Sequence, residues 1–331
     1  MSNPVISVII PAYNVAPYIS DAIESVVNQT FNGGIEIIIV DDCGSDNSFE
    51  IAKTIGEKSE SKNRKFLFLS NNINKGLAAA RNLGLRNASG EYIFFLDSDD
   101  MLEPRCFEEL ISAFDIHGVD FVEGSTTHFY DDKTKKDEQK LHDNILLTGT
   151  DIFDGLSKKW MPVLWNKLFR KSFLINNHLY CQEGFFYEDL YWAFSALPFT
   201  SNILTISSPT YRYRIRNTSI SHSLTDKHVQ SFISLIHEMK KFAKRENLKR
   251  HKYHDRIAYI YESVRCMAID YVYSMGTKKM LKTLFSGLKG SNLYSISSII
   301  TNRQIGLKMK CKVLSLYTCG LGGLLYTYKH K

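Results

Sequence analysis

Four short apolar runs in the first hundred residues, each followed by a helix-like stretch, constrain this chain more than any other feature. Ile6–Ile10, Ile35–Val40, Phe66–Leu69 and Tyr92–Leu96 lack the regular in–out alternation of a strand with one wet face. Runs of this kind suit strands buried on both sides. Between them, Pro17 stands where a helix can start, and Ile19, Ile23, Val26 and Val27 recur at helical spacing. Ser45 and Asp46 can cap a second helix, a third is expected over 75–87, and Pro104 opens a fourth before a fifth strand at Val119–Val122. Strand–helix alternation predicts an α/β fold with a Rossmann-like, mostly parallel sheet flanked by helices. Beyond Pro209 helices are expected over 224–245, 252–275, 277–288 and 304–317, in a stretch with no proline.

Ligands of such sheets bind beyond the carboxyl ends of the strands. Two of the apolar runs close there on acids: Asp42 after the second, and Asp97-Ser98-Asp99-Asp100 after the fourth. Carboxylates two residues apart at a strand end can point into one crevice. Their hard oxygens suit Mg²⁺ or Mn²⁺, which keeps open positions for diphosphate oxygens. In isolation the same four residues are a solvated turn and helix cap; at the end of a fourth buried strand the cation site is the better reading. Asp42 can accept a ring N–H from a pyrimidine or guanine, or cap the next helix. The first strand runs into PAYNVAP, without GxGxxG, and GxxxxGK[ST] is absent from the chain. A dinucleotide site and P-loop chemistry are therefore disfavoured.

Charge divides the chain. Of 41 Lys and Arg, 19 lie between Lys240 and Lys331, with 4 of the 35 Asp and Glu, so the remainder holds 22 basic and 31 acidic residues. The acidic part suits a cation–nucleotide complex, while the basic part can face an anionic membrane surface or water. Its mixture of Lys with Leu, Ile, Tyr and Phe fits an interfacial helix as well as an ordinary solvated face. Nucleic acid has no supporting motif. The six cysteines are scattered without CxxC pairing, and the N-terminus lacks a basic, apolar leader, so a cytoplasmic, reducing location is expected.

The segments ISVIIPAYNVAPYISDAIESVVNQT, IEIIIVDDCGSDNS, NKGLAAARNLGL and GEYIFFLDSDD, in that order and spacing, resemble the start of a family 2 glycosyltransferase of GT-A fold, of bacterial surface-polysaccharide type. One departure is Cys43, which precedes Gly44 where the family reads VDDGS. The resemblance implies that Pro11, Ala12 and Tyr13 line a nucleoside pocket and that Asp42 binds the base. It places Lys75, Arg81, Asp97 and Ser98 around the rest of the donor, with Asp99 as ligand of Mn²⁺ or Mg²⁺. Farther along, VLWNKL resembles the family's WNKL segment, which makes Trp165 and Asn166 acceptor candidates, and EGFFYED resembles its ED motif. That match implies a catalytic role for Glu188 and Asp189, with Asp189 taking the acceptor proton; both acids also suit a helix start. YRYRIRNTSISH resembles the tyrosine- and arginine-rich strand and loop, with Arg214 at the diphosphate and His222 completing the cation shell. Period-two Tyr/Arg alternation equally fits a plain edge strand.

The expectation is a GT-A nucleotide-sugar domain over 1–220 and a helical, basic region over 221–331 with possible membrane association. The implied reaction is inverting transfer from a nucleoside diphosphate sugar, UDP above others, to a glycan or lipid-linked glycan in surface polysaccharide synthesis. The alternatives are a nucleotidyltransferase acting on a sugar phosphate, which lacks its glycine- and lysine-rich first loop here, and a non-catalytic scaffold of the same fold.

Overall fold

The computed structural model describes residues 5–130, 136–139, 144–216, 224–307, 309–311 and 313. The described chain divides into two compact units, one formed by Met1–Gly184 with Phe199–Ser219 and the other by Phe185–Pro198 with Ile220–Lys331.

The first unit is built on one sheet. Its elements run β1 (Ile6–Ala12), α1 (Ile19–Val27), β2 (Ile35–Asp41), α2 (Ser48–Ser59), β3 (Arg64–Ser70), α3 (Leu77–Asn87), β4 (Tyr92–Phe95), β5 (Met101–Leu102) and α4 (Cys106–His117). They continue through β6 (Phe121–Tyr130), β7 (Lys136–Gln139), β8 (Ile145–Thr148), α5 (Thr150–Gly155), β9 (Lys167–Arg170) and α6 (Lys171–Asn176), and end in β10 (Asn202–Ile215). The sheet order is β3-β2-β1-β4-β9-β6-β10-β5, with β7 on β6 and β8 on β10. β1 is buried at every position, as its unbroken apolar run requires.

The expected parallel sheet is found in only half of this array. β3, β2, β1 and β4 are all parallel, but β9 runs antiparallel to both β4 and β6, and β5, β7 and β8 are antiparallel to their neighbours. Only β10 on β6 restores a parallel pair. The sheet is mixed because β9 and its neighbours are not linked by strand–helix crossovers, the connection that enforces parallel pairing.

Arg64 shows how the parallel half is tied down. Its guanidinium donates from Nε to the Val27 carbonyl, from Nη1 to those of Gly33 and Asn63, and from Nη2 to those of Gln29 and Phe31, at 2.9–3.2 Å. Four of the five carbonyls belong to the end of α1 and its following loop; the fifth, Asn63, also accepts the Ile35 N–H at 2.9 Å.

The second unit is helical. It holds α7 (Glu188–Ala196), then, after β10 has passed through the first unit, α8 (Asp226–Arg245), α9 (His254–Met275), α10 (Lys278–Gly287) and α11 (Ile296–Thr301). The sequence reading placed the domain change once, near residue 220, but residues 185–198 belong with these helices. The reason is the apolar face of α7: Phe194 packs edge-on against Phe242 and at a tilt against Tyr261, at 6.1 and 6.2 Å between ring centres. Inside the unit, Glu262 and Arg265 form a fully buried ion pair of 2.8 Å. No helix among the described residues is long and apolar enough to cross a membrane. Of the helix expected over 304–317, residues 308, 312 and 314–317 lie outside the described residues.

Candidate active site

The register of the parallel strands assembles the site. Ala12 pairs with Asp41 and Asp41 with Ser70, so the carboxyl ends of β1, β2 and β3 finish level. β4 follows β1 as far as Phe95 opposite Ile9, after which Leu96 donates to the Ile9 carbonyl at 3.0 Å. Tyr13, Asp42, Asn71 and Asp97 thus leave the sheet at one rim. At that rim Tyr13 is 49% exposed, and Ile73 and Leu77 are 64% and 41% exposed, an apolar surface on an otherwise polar edge. Pro11 and Ala12 are buried at the end of β1, where they shape the floor.

Asp42 is 3% exposed and bonded on both oxygens. Oδ1 accepts from Asn71 Nδ2 at 2.7 Å and from the Lys75 backbone N–H at 3.0 Å; Oδ2 accepts from the Gly76 N–H at 2.7 Å. The carboxylate therefore shapes the β3–α3 loop, and Oδ2 retains acceptor capacity for a further donor. Lys75 contributes its backbone here, with its side chain exposed. Cys43 adopts a left-handed φ of 61° and is exposed. Around it the loop is closed by Gly44 N–H donating to Asp41 at 3.2 Å and Ser45 N–H donating to Asn14 at 2.7 Å. The extra residue is thus accommodated in the loop while Asp42 keeps its three bonds.

The DSDD turn is held by a separate donor on each acid. Arg81, 1% exposed, donates from Nη2 to Asp97 at 2.7 Å. Asp100 is buried and accepts from Tyr211 Oη and from the Arg214 backbone N–H, each at 2.7 Å. Asp99 is paired with the guanidinium of Arg216. Ser98 is buried between them. Burial and the neighbouring Asp97 push the Asp99 carboxyl above its ordinary value, and Arg216 pulls it back. Asp100 is raised well above its ordinary value by burial and by Asp99 and Asp97. Tyr211 is raised for the same reasons, burial and then the three acids.

Arg214 does not stand open at this rim as the sequence reading expected. It is 4% exposed; Nε donates to the Asp99 carbonyl at 2.7 Å and Nη2 to Asp21 at 2.8 Å, while the guanidinium lies over Phe129 and Tyr18. Its task here is to clamp the DSDD turn to α1. Asn166 is likewise a correction. It is 1% exposed, at a left-handed φ of 57°, and donates to the Gly124 carbonyl at 2.6 Å and Thr126 Oγ1 at 3.0 Å while accepting from Thr210 Oγ1 at 2.6 Å. With its N–H donors and one acceptor position used inside the protein, it pins β6 to β10. Trp165 is partly exposed and stacks on Tyr211 and Tyr213 at 4.9 and 5.5 Å, beside the DSDD strand through its bridge to Phe95.

Arg216, Tyr211, Asn71 and Asp21 are neighbours of these residues that sequence reasoning gave no task, and Asp100 entered it only as part of the acidic turn. A usable signal existed for the first: strand period aligns Arg212 and Arg214 of β10 with Arg216 just past its end.

In the second unit, Glu188 and Asp189 open α7. Glu188 is buried at 8% exposure, whereas Asp189 is partly exposed. The turn before them is unusual: Tyr187 has φ 67°, a left-handed conformation that a bulky side chain rarely adopts. Its ring is held by a parallel stack on Phe232 of α8, 4.2 Å between centres, and the Phe186 N–H donates to Ser231 Oγ at 3.1 Å. His222 lies outside the described residues.

Asp97 and Asp99 supply hard oxygen donors, and the Arg216 guanidinium on Asp99 marks a place where a positive charge is wanted, so the donor set fits a divalent cation. Among the described residues no three His, Cys, Asp or Glu side chains gather as a metal cage. A cation here would take its remaining ligands from diphosphate and water, as Mg²⁺ commonly does.

A half-parallel sheet with an acid-lined carboxyl edge is the architecture of GT-A glycosyltransferases. In agreement, the crystal structure of S. aureus TarS 1–349 in complex with UDP-GlcNAc superposes with a TM-score of 0.72, covering 95% of this chain and 89% of that one at 17% identity. The family model "Glycosyl transferase family 2" matches residues 7–189, and the chain belongs to that family. Among relatives, the putative glycosyltransferase EpsH of Bacillus subtilis is 30% identical over 299 residues, 86% of this chain and 82% of its own. The uncharacterized glycosyltransferase YibD of Escherichia coli is 29% identical over 222 residues, and the match spans 63% of its length. The protein is thus a glycosyltransferase.

Proposed function

We propose that the protein transfers a hexosyl or N-acetylhexosaminyl group from a UDP-sugar to a hydroxyl of a glycan or lipid-linked glycan, with inversion, in the synthesis of a surface polysaccharide. The observation that carries this reading is the convergence of Tyr13, Asp42, the Arg81–Asp97 pair and Asp99 on one edge of the parallel strands. Crystallisation of TarS with UDP-GlcNAc on the same fold favours uracil and an N-acetylhexosamine.

Each residue has a task that its surroundings support. Tyr13 and Leu77 offer exposed apolar faces to a base, and Oδ2 of Asp42 can accept its ring N–H. Arg81 fixes the Asp97 carboxylate in orientation toward the ribose. A divalent cation on Asp99, Mn²⁺ or Mg²⁺, would offset the charge that develops on the departing diphosphate. Asp189, partly exposed in the first turn of α7, is the acid that the family resemblance makes the acceptor of the attacking hydroxyl's proton as the glycosidic bond to diphosphate breaks. Glu188, the other acid of the motif, is buried beside it.

The surplus of positive charge in the C-terminal region supports peripheral attachment to an anionic membrane, where lipid-linked acceptors lie. Sedimentation with phosphatidylglycerol vesicles, lost at high salt, is the expected behaviour. The decisive test of the chemistry is UDP release from a panel of UDP-sugars, with and without Mn²⁺. Asp99→Ala should abolish metal-dependent release. Asp189→Asn should abolish transfer but leave UDP binding intact; a non-catalytic scaffold would be indifferent to both.

A further inference from the structure

The two arginines that reach the DSDD turn from β10 are held very differently. Arg214 is buried, bonded to the Asp99 carbonyl and to Asp21, and flanked by two rings. Arg216 lies at the strand end, with 22% of its side chain exposed, and its ion-pair partner is the Asp99 carboxylate. Its guanidinium rests on Tyr18 at 4.9 Å, and among the described residues its buried Nε has no hydrogen-bond partner. Arg214 is a finished structural contact, whereas Arg216 is a single, incomplete one.

Asp97 and Asp100 have other donors: Arg81 for the first, Tyr211 and the Arg214 N–H for the second. Among the described residues the Asp99 carboxylate forms an ion pair with Arg216. A divalent cation on the same largely buried carboxylate would sit against the guanidinium, and like charges at that range repel strongly where water is sparse. Both cannot hold Asp99 at full strength.

We propose that Arg216 is an exchangeable counter-ion for Asp99, which occupies the carboxylate when no cation is bound and must leave it for a cation to bind. This rests on the reading that Asp99 holds the cation. The arrangement keeps the acid cluster neutralised in the empty enzyme, and it lowers the affinity for a free cation. Because the departing guanidinium regains an anionic partner only if one arrives, cation and diphosphate donor should bind better together than either does alone.

The test is a titration with Mn²⁺ alone, read by loss of the free-ion electron paramagnetic resonance signal, on wild type, Arg216→Gln, Arg216→Lys and the double variant Arg216→Gln/Asp99→Asn. Arg216→Gln should bind Mn²⁺ about tenfold more tightly than wild type, the factor expected when one charge-assisted contact no longer competes. Arg216→Lys, which keeps the charge, should fall between the two. Arg216→Gln should also melt lower without metal and recover with Mn²⁺, a readout independent of activity. Unchanged Mn²⁺ affinity in Arg216→Gln overturns the exchange. If the double variant keeps the tighter binding, the cation is not on Asp99, and the failure belongs to the underlying site reading.

Discussion

Asn166 gives the sharpest test of the tertiary reading, because a surface acceptor contact and a buried pin respond in opposite ways to the same substitution. Replacing it by Ala removes three short hydrogen bonds, to the Gly124 carbonyl, Thr126 Oγ1 and Thr210 Oγ1. At about 1 kcal/mol net for each bond the loss is roughly 3 kcal/mol. The site cannot collapse to compensate, since Gly124 is already so close to Thr210 that a Cβ there would lie 1.8 Å from Thr210 Oγ1. Alanine must also hold the left-handed φ of 57° that Asn tolerates, which adds about 1 kcal/mol. The sum, about 4 kcal/mol, corresponds to a fall of the urea midpoint by about 1.3 M at a slope of about 3 kcal/mol/M. Asn166→Gly loses the same bonds without the backbone strain and should sit above Asn166→Ala by about 1 kcal/mol. Asn166→Asp sets a carboxylate against the Gly124 carbonyl and should do at least as badly as alanine. The measurement is equilibrium urea unfolding with the slope compared across variants. An Asn166→Ala protein with the wild-type midpoint and a raised KM for acceptor would refute the reasoning and return Asn166 to the binding surface.

Three further outcomes are expected. Lys167 and Glu123 form a buried pair of 3.1 Å, and burial pushes the Glu123 carboxyl up even against its lysine; Lys167→Met should cost about 3–5 kcal/mol in chemical denaturation, and adding Glu123→Gln should recover part of it. At Asp46, burial would raise the carboxyl, but bonds from Ser48 and from the Ala16 N–H outweigh it and hold it below its ordinary 3.8. A depressed folded value means stability that is present above the unfolded value and lost as pH falls through the folded one, so wild type should lose the advantage of Asp46 below about pH 4, and Asp46→Ala should flatten that limb of a stability–pH profile. Cys43, exposed in the loop that follows Asp42, should react with N-ethylmaleimide; UDP should slow the reaction, and the modified protein should no longer bind UDP by calorimetry. Equal labelling rates with and without UDP would place the nucleotide elsewhere.

What the linear chain determined is the half of the protein written in local pattern. Buried strands need apolar residues on both faces, so β1, β2 and β4 announce themselves as runs, whereas β3, also read as such a run, is a half-buried edge strand; the acids after β2 and β4 share one edge because parallel strands share one direction. Asp42, Asp97 and Asp99 were singled out on that ground and by family resemblance, and Arg81 by the resemblance and the fit of a guanidinium to a diphosphate. What only the tertiary structure decided depends on partners distant in sequence. β9 reverses between β4 and β6, which short runs of KLFR type cannot disclose. Residues 185–198 join the helical unit because Phe194 finds Phe242 and Tyr261, contacts invisible to composition. Arg214 and Asn166 read as binding residues because their side chains are polar and their motifs familiar. Their guanidinium and amide are instead consumed by Asp21, the Asp99 carbonyl, the Gly124 carbonyl and Thr210, groups that sequence places as far as 193 positions away. A polar side chain in a motif shows that hydrogen bonds will be made; burial decides whether the partner is a substrate or the protein itself.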